Sequence, residues 1–251
     1  MTLHSVVAYF AHPDDETVLA GGILALLARQ GVSVQIVCAT RGEGGELGDP
    51  PVVARRDLLG GAREAELRCA AAALGAKVTV LNYIDPVIGL DDVLYPFQAD
   101  FNTLAGQFAE IARQARADAV LTHGADGEYG HPAHQLVNRA VVTGISRTLP
   151  KTLIYTVAAL VPDIEDRLWN QSQPTHLALD IRPWAKAKLA AMECHASQHA
   201  MFKRRKNLAT LDEALRTVES VRRVWPEVRE ETPHDAFADL LRTAGAWTPK
   251  G

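Results

Sequence analysis

Cysteine is scarce in this chain. Three residues, Cys38, Cys69 and Cys194, are spread over 251 positions, too few and too scattered for a disulfide framework or a four-thiolate zinc site. They read as ordinary buried thiols. Charge of one sign is lacking as well: 26 Lys+Arg stand against 30 Asp+Glu, a formal net charge of −4. Such a balance provides no broad cationic surface for nucleic acid or anionic lipid. Long hydrophobic runs are also missing. The longest apolar stretch near the N-terminus, 17–28, has 12 residues and follows Asp14, Asp15 and Glu16. It is too short to span a bilayer, and a signal peptide carries basic residues on that side. The expectation is a cytoplasmic protein with reduced thiols and no membrane or nucleic-acid partner. What the chain does contain is nine histidines, side chains that ligate metals and move protons near neutral pH.

Two kinds of segment alternate over the first 160 residues. Short apolar or β-branched runs occur at 5–10, 33–39, 77–81, 118–122 and 153–159, with helix-like stretches at about 16–30, 53–74, 101–116 and 134–148 between them. Gly31 and Gly75 stand where helices would end. This alternation predicts an α/β fold, a mostly parallel Rossmann-like sheet with helices on both faces. Beyond it, a strand is expected at 176–181, a helix from Trp184 to about His195, further helix around 208–224, and loop elsewhere. One domain with a less regular C-terminal portion follows: a main unit over 1–200 and an extension, 201–251, packed on it. An apolar content of 47% would permit a homo-oligomeric interface.

Two strand ends carry the chemistry. After the first strand comes Ala11-His-Pro-Asp-Asp-Glu16; after the fourth, His123-Gly-Ala-Asp-Gly-Glu-Tyr-Gly-His-Pro-Ala-His134. With a strand order of 3-2-1-4-5, strands one and four are neighbours at the switch point, where ligands bind beyond the carboxyl ends. His12, Asp15 and His134 then supply two imidazoles and a carboxylate, the ligand set of a catalytic zinc site with an open fourth position. Asp14 points away from its neighbour and can take a proton from an acidified water. His131, three residues before His134, can hold an oxyanion or protonate a leaving amine. Each half alone has a bland reading, as a helix cap or a solvated helix start; their meeting in one crevice is what points to metal-assisted amide hydrolysis.

At these residues the sequence resembles the LmbE-like N-acetylglucosaminyl deacetylase family, also called the PIG-L superfamily. The likeness extends to Thr40-Arg-Gly-Glu-Gly-Gly45, Arg63-Glu-Ala-Glu66, Tyr129-Gly-His-Pro-Ala-His134, and Lys188 with His195-Ala-Ser-Gln198, covering roughly residues 3–200. It implies a zinc hydrolase that removes acetate from a small-molecule amino-sugar, an N-acetylglucosamine conjugate, with Fe2+ or another divalent transition metal as an alternative cofactor. It further implies His12, Asp15 and His134 as ligands, Asp14 as general base and His131 as transition-state stabiliser or acid. Tyr129 matches a mobile tyrosine that approaches the substrate carbonyl, Arg63 a residue that holds the sugar or its aglycone, and His195 a residue bracing the pocket. There is one departure: the family's Asp between the proline and the second histidine is Ala133 here. That change predicts a less basic His131 unless Asp126 or another acid substitutes.

Other features are read more plainly. The glycine-rich Gly42–Gly48 segment lacks the spacing of a nucleotide loop and reads as a pocket rim, with Arg41 and Glu43 available to substrate hydroxyls. Lys203-Arg-Arg-Lys206 reads as a solvated face, and His195 with His199 as partly buried histidines rather than a metal pair. The tryptophans at 169, 184, 225 and 247 read as core or interface residues rather than a sugar platform. Two alternatives stay open: the same chemistry on another amide, such as a thiol conjugate of glucosamine, and a Rossmann-like sugar- or nucleotide-binding protein without hydrolysis.

Overall fold

The computed structural model describes residues 2–89, 92–157, 170, 172–204, 207–228 and 232–249. Strands β1 (Ser5–Phe10), β2 (Ser33–Thr40), β3 (Lys77–Tyr83), β4 (Ala119–Thr122) and β5 (Leu153–Val157) form the parallel part of the sheet. With β6 (Leu177–Asp180) and β7 (Val218–Trp225), the order is β3-β2-β1-β4-β5-β7-β6. The parallel strands are runs of small and β-branched residues because both faces of the sheet are covered. In β1, Val6, Ala8 and Phe10 enter one core, and Val7 and Tyr9 enter the other. The register places Val6 opposite Val34 of β2 and Ala119 of β4. Strand β1 is therefore flanked on both sides, and the crevice expected at the switch point opens above β1 and β4.

Helices α1 (Asp15–Arg29) and α2 (Leu59–Leu74) cover the first face with α6 (Ala185–Cys194) and α9 (Ala236–Thr243). Helices α3 (Phe101–Gln114) and α5 (Pro132–Thr148) cover the second. Gly75 closes α2 at φ 77° and Gly31 follows α1 at φ 80°, a left-handed geometry that glycine adopts without a Cβ clash. The remaining helical pieces are short: a distorted turn α4 (Gly127–Gly130), α7 (His199–Arg204) and α8 (Leu211–Ala214). No helix among the described residues is long and apolar enough to cross a membrane.

Three expectations are corrected. The helix expected over 208–224 is one turn, α8, held by a Thr210–Glu213 capping box, followed by strand β7. Val218, Val221 and Val224 suit a pleated surface, and antiparallel pairing on both sides, with β5 and β6, overrides the helical composition of the preceding segment. Residues beyond 200 therefore supply an interior strand as well as α9, whose Phe237, Ala238 and Leu241 are fully buried. The helix expected from 53 starts at Leu59, behind Pro50 and Pro51 and a 3₁₀ turn at Arg56–Leu58. Finally, Cys69 and Cys194 are not free thiols but form a disulfide. The packing of α2 on α6 brings together two cysteines 125 residues apart, which spacing in the sequence cannot reveal; Cys38 alone is free and buried. Residues 158–159, expected to end β5, lie outside the described residues.

Candidate metal centre

The loop after β1 turns sharply into α1. Asp14 adopts a left-handed backbone at φ 112°, a conformation that costs a non-glycine residue about 1–3 kcal/mol. Two contacts hold it there. The Asp14 N–H donates to the Glu16 carboxylate at 2.9 Å, and the Arg63 guanidinium donates to the Pro13 and Gly42 carbonyls. Glu16 in turn receives the His195 imidazole at 2.8 Å and the Thr17 hydroxyl. The backbone at Gly42 leaves room for Arg63: a Cβ there would lie 2.3 Å from the guanidinium. As the residue ahead of α1, Asp14 makes no capping bond through its side chain, so its carboxylate is available to the crevice.

The loop after β4 delivers the imidazoles. His131 precedes α5, and its Nδ1 accepts the Ala133 N–H at 3.2 Å; the ring is thus neutral with its proton on Nε2. His134 lies in the first turn of α5. Its Nε2 is 3.3 Å from His12 Nδ1 and 3.3 Å from Asp15 Oδ1, and His12 Nδ1 is 3.4 Å from Asp15 Oδ2. Donors on a tetrahedral zinc with bonds of about 2.0–2.1 Å stand about 3.3–3.4 Å apart; the His12–His134 pair has that spacing, and Asp15 turns one oxygen to each ring, Oδ1 to His134 and Oδ2, which also accepts the His12 backbone N–H, to His12. The far nitrogen of each imidazole meets a carboxylate: His12 Nε2 meets Asp85 at 3.2 Å, and His134 Nδ1 meets Glu128 at 2.5 Å. Metal-binding histidines are oriented in this way.

Two other groupings in the same cluster, His12 with His131 and His134, and Asp15 with His123 and His134, also bring ligand atoms together. Hydrogen bonds speak against both. His123 Nε2 accepts the Ala11 N–H at 3.0 Å, which occupies its lone pair, and the Nδ1 lone pair of His131 is occupied by Ala133.

Charge completes the fit. Asp14, Asp15, Glu16, Asp85 and Glu128 are all buried here beside a single guanidinium, Arg63, an excess of negative charge that favours a cation. Burial pushes the Asp14 carboxyl up to about 6, with Arg63 opposing the rise. Burial alone would raise Asp15 and Glu128, but the facing imidazoles outweigh it, holding Asp15 well below the usual range and Glu128 down at about 2. For His12, burial is outweighed by Asp85 and Asp15, which bring it up to about 10. Burial and then the neighbouring His134 push His131 down to about 2. Among the described residues no carboxylate is bonded to His131 in place of the one missing at Ala133: Asp126 is bonded to Ser172 instead.

The cavity in front of these groups is lined by Arg63 and Tyr129 and also by Asp85, Glu46 and Gln198. Arg41 and Glu43 are not brought to it. Arg41 is held by Glu64 and Asn82, and Glu43 accepts the Asp85 N–H. Gly44, Gly45 and Glu46 form part of the cavity wall, in keeping with a rim rather than a nucleotide loop. His199 bonds to the Met192 and Glu193 carbonyls, so it forms no metal pair with His195. Trp184, Trp225 and Trp247 lie off the cavity lining, and Trp169 and residues 205–206 lie outside the described residues. Glu128, Asp85, His123 and Glu16 were given no role by the sequence. For Glu128 there was a signal: a carboxylate within the Gly127–Gly130 turn, six residues ahead of the candidate ligand His134.

Residues 7–145 match the family model described as PIG-L, GlcNAc-PI de-N-acetylase. The chain belongs to the PIG-L family. Among relatives of this PIG-L protein is a 1D-myo-inositol 2-acetamido-2-deoxy-alpha-D-glucopyranoside deacetylase of Acidothermus cellulolyticus. It is 30% identical over 238 residues, covering 79% of this chain and 81% of that protein. The fold is shared with the N,N'-diacetylchitobiose deacetylase of Pyrococcus horikoshii, at a TM-score of 0.62 and 19% identity over 88% of this chain and 84% of that one. It is shared equally with GalB, the 4-carboxy-2-hydroxymuconate hydratase of Pseudomonas putida, at a TM-score of 0.64 and 24% identity over 91% of this chain and 99% of that one. A fold common to a deacetylase and a hydratase leaves the chemistry to be argued from the site.

Proposed function

We propose that this PIG-L protein is a metal-dependent N-deacetylase that releases acetate from an N-acetylglucosamine conjugate, with Zn2+ held by His12 Nδ1, Asp15 and His134 Nε2. The observation that carries the reading is the 3.3 Å approach of His12 Nδ1 to His134 Nε2, with an Asp15 oxygen 3.3–3.4 Å from each of them and a carboxylate behind each imidazole. Bound there, the metal supplies Lewis-acid polarisation of the acetyl carbonyl and an acidified water. Imidazole and carboxylate donors also suit Fe2+.

The chain's own groups do the rest. Asp14, raised to about 6, is ionised at neutral pH yet basic enough to accept the proton of the attacking water. Its left-handed backbone sets it beside Asp15 without sharing that residue's direction. His131 carries its proton on Nε2 and, as a neutral imidazole, donates to the oxyanion that develops on the acetyl oxygen. The proton taken by Asp14 passes to the departing amine, leaving acetate and the free amino-sugar. Arg63 fixes the backbone under Asp14, and Tyr129, edge-on to His131 and His134 at ring distances of 5.7 Å, borders the space for the acetyl group.

The test is a metal assay coupled to acetate release across a panel of N-acetylglucosamine conjugates. About one equivalent of zinc and acetate from at least one conjugate are expected. Stoichiometric zinc with no acetate from any of them would contradict the reading.

A further inference from the structure

The cavity changes character from its inner end to its mouth. The inner end is made of buried polar groups, His12, Asp14, Asp15 and His134. At the mouth, Ile88 and Tyr95 line the cavity while standing 45% and 50% exposed, with Leu94 between them in the same wall. Apart from Asp14 and Asp15 at the inner end, the acidic and guanidinium groups of the lining have partners: Asp85 meets His12, Glu46 meets Arg204, and Arg63 meets two backbone carbonyls. Ile88, Leu94 and the ring of Tyr95 give the exposed part of the lining an apolar stretch.

Exposed apolar side chains are also frequent in the loops that carry this wall. Of the eight large hydrophobic side chains that stand exposed among the described residues, Ile84, Val87, Ile88, Val93 and Tyr95 lie in the loop after β3. Val52 and Leu58 lie in the loop after β2; Trp247 alone is elsewhere. The two loops are joined next to the site, where Gly44 sits so close to the Pro86 carbonyl that a Cβ would come within 1.9 Å of it. Apolar groups concentrated at one place on a surface mark a binding face. Tyr95 is also held in place. Its ring rests on Gly89, where a Cβ would lie 2.7 Å from the ring, and Gly89 N–H bonds to the Val93 carbonyl at 2.9 Å. A ring ordered before binding loses little entropy on contact.

We infer that the aglycone of the substrate is apolar, an alkyl or aryl group on the N-acetylglucosamine, and that it leaves the cavity over Ile88, Leu94 and Tyr95. The inference rests on the deacetylase reading above. A second copy of the chain is the rival occupant of the same face. The aglycone is favoured because Ile88 and Tyr95 are at once cavity wall and exposed rim, so the apolar surface begins inside the site.

The test measures acetate release from the methyl, butyl and phenyl glycosides of N-acetylglucosamine and from its inositol conjugate. Calorimetric binding of the matching free-amine glycosides runs alongside. Full burial of one methylene is worth about fourfold in binding. With its chain partly buried, the butyl glycoside is expected to exceed the methyl glycoside by about tenfold in kcat/KM and in affinity. In the folded Ile88→Ser/Tyr95→Ser protein that ratio is expected to fall to about twofold or less. Equal kcat/KM across the panel, or a preference for the inositol conjugate, overturns the apolar aglycone and leaves the deacetylase standing. No acetate from any conjugate overturns both. A double variant that keeps the ratio but lowers the solution mass from an oligomer to a monomer also overturns it, and gives the face to a second copy of the chain.

Discussion

The loops after β1 and β4 face each other across the crevice, yet they are built in opposite ways. The first is short and acidic. It uses one left-handed residue, Asp14, to separate the proposed base from the proposed ligand Asp15, and it borrows Arg63 and His195 from α2 and the end of α6 to hold that backbone. The second is longer and rich in glycine and histidine. It encloses its own carboxylate, Glu128, which bonds both His123 and His134. Burial then acts oppositely on their two proton-handling groups. It lifts the Asp14 carboxyl to about 6 and presses the His131 imidazole down to about 2. Opposed environments suit the one to the proposed role of base and the other to that of neutral donor, which is how two titratable groups acquire separate roles at one pH.

Removing a ligand from the second loop should have the largest effect. His134→Ala is expected to lose the metal and reduce acetate release to background, read by metal analysis of the purified variant; a variant retaining a full equivalent of zinc contradicts the ligand set. In the first loop, Asp14→Asn is expected to retain the metal while turnover falls by about 10²–10⁴. Unchanged kcat with the metal in place would show that the base lies elsewhere. The Glu128→Gln variant isolates the carboxylate behind His134 and should weaken metal affinity by about 10–100-fold, measured by competition with a chelator. No change in affinity would mean that the second loop needs no internal orienting group.

The acid limb of the pH–rate profile belongs to the first loop. Protonation disables Asp14, so kcat/KM should fall about tenfold for each pH unit below about 6, and rise to a plateau above it. A profile in which activity declines as the pH climbs through 6 would contradict this sign. His131, already neutral, contributes no limb of its own in that range. The smallest effect is expected from Ala133→Asp, which places a carboxylate beside His131, raises its pKa and changes the profile by a few-fold at most. A profile identical to that of the unmodified chain would show that position 133 has no influence on His131.

The same contrast explains how much could be read in advance. The parallel core was legible because β1 to β5 are compact runs of Val, Ile, Leu and Ala with helical periodicity between them, and their order put the two loops side by side. The meeting of His12, Asp15 and His134 was legible because all three lie just beyond the ends of adjacent strands. Asp85 and Glu16 were not, since they act through contacts with His12 and Asp14 that exist only after folding. Strand β7 was hidden by the helix-like residues before it, and its place between β5 and β6 is set by pairing partners far away in sequence. The Cys69–Cys194 bond was hidden for the same reason, because only the packing of α2 on α6 makes the two cysteines neighbours.

The central claim is the proposal that His12, Asp15 and His134 hold the metal, and anomalous diffraction at the zinc edge from crystals of the zinc-loaded protein tests it most directly. The account predicts one peak bonded to His12 Nδ1, an Asp15 oxygen and His134 Nε2 at about 2.0–2.2 Å. A peak bonded to His123 or His131 in place of one of those three would contradict it.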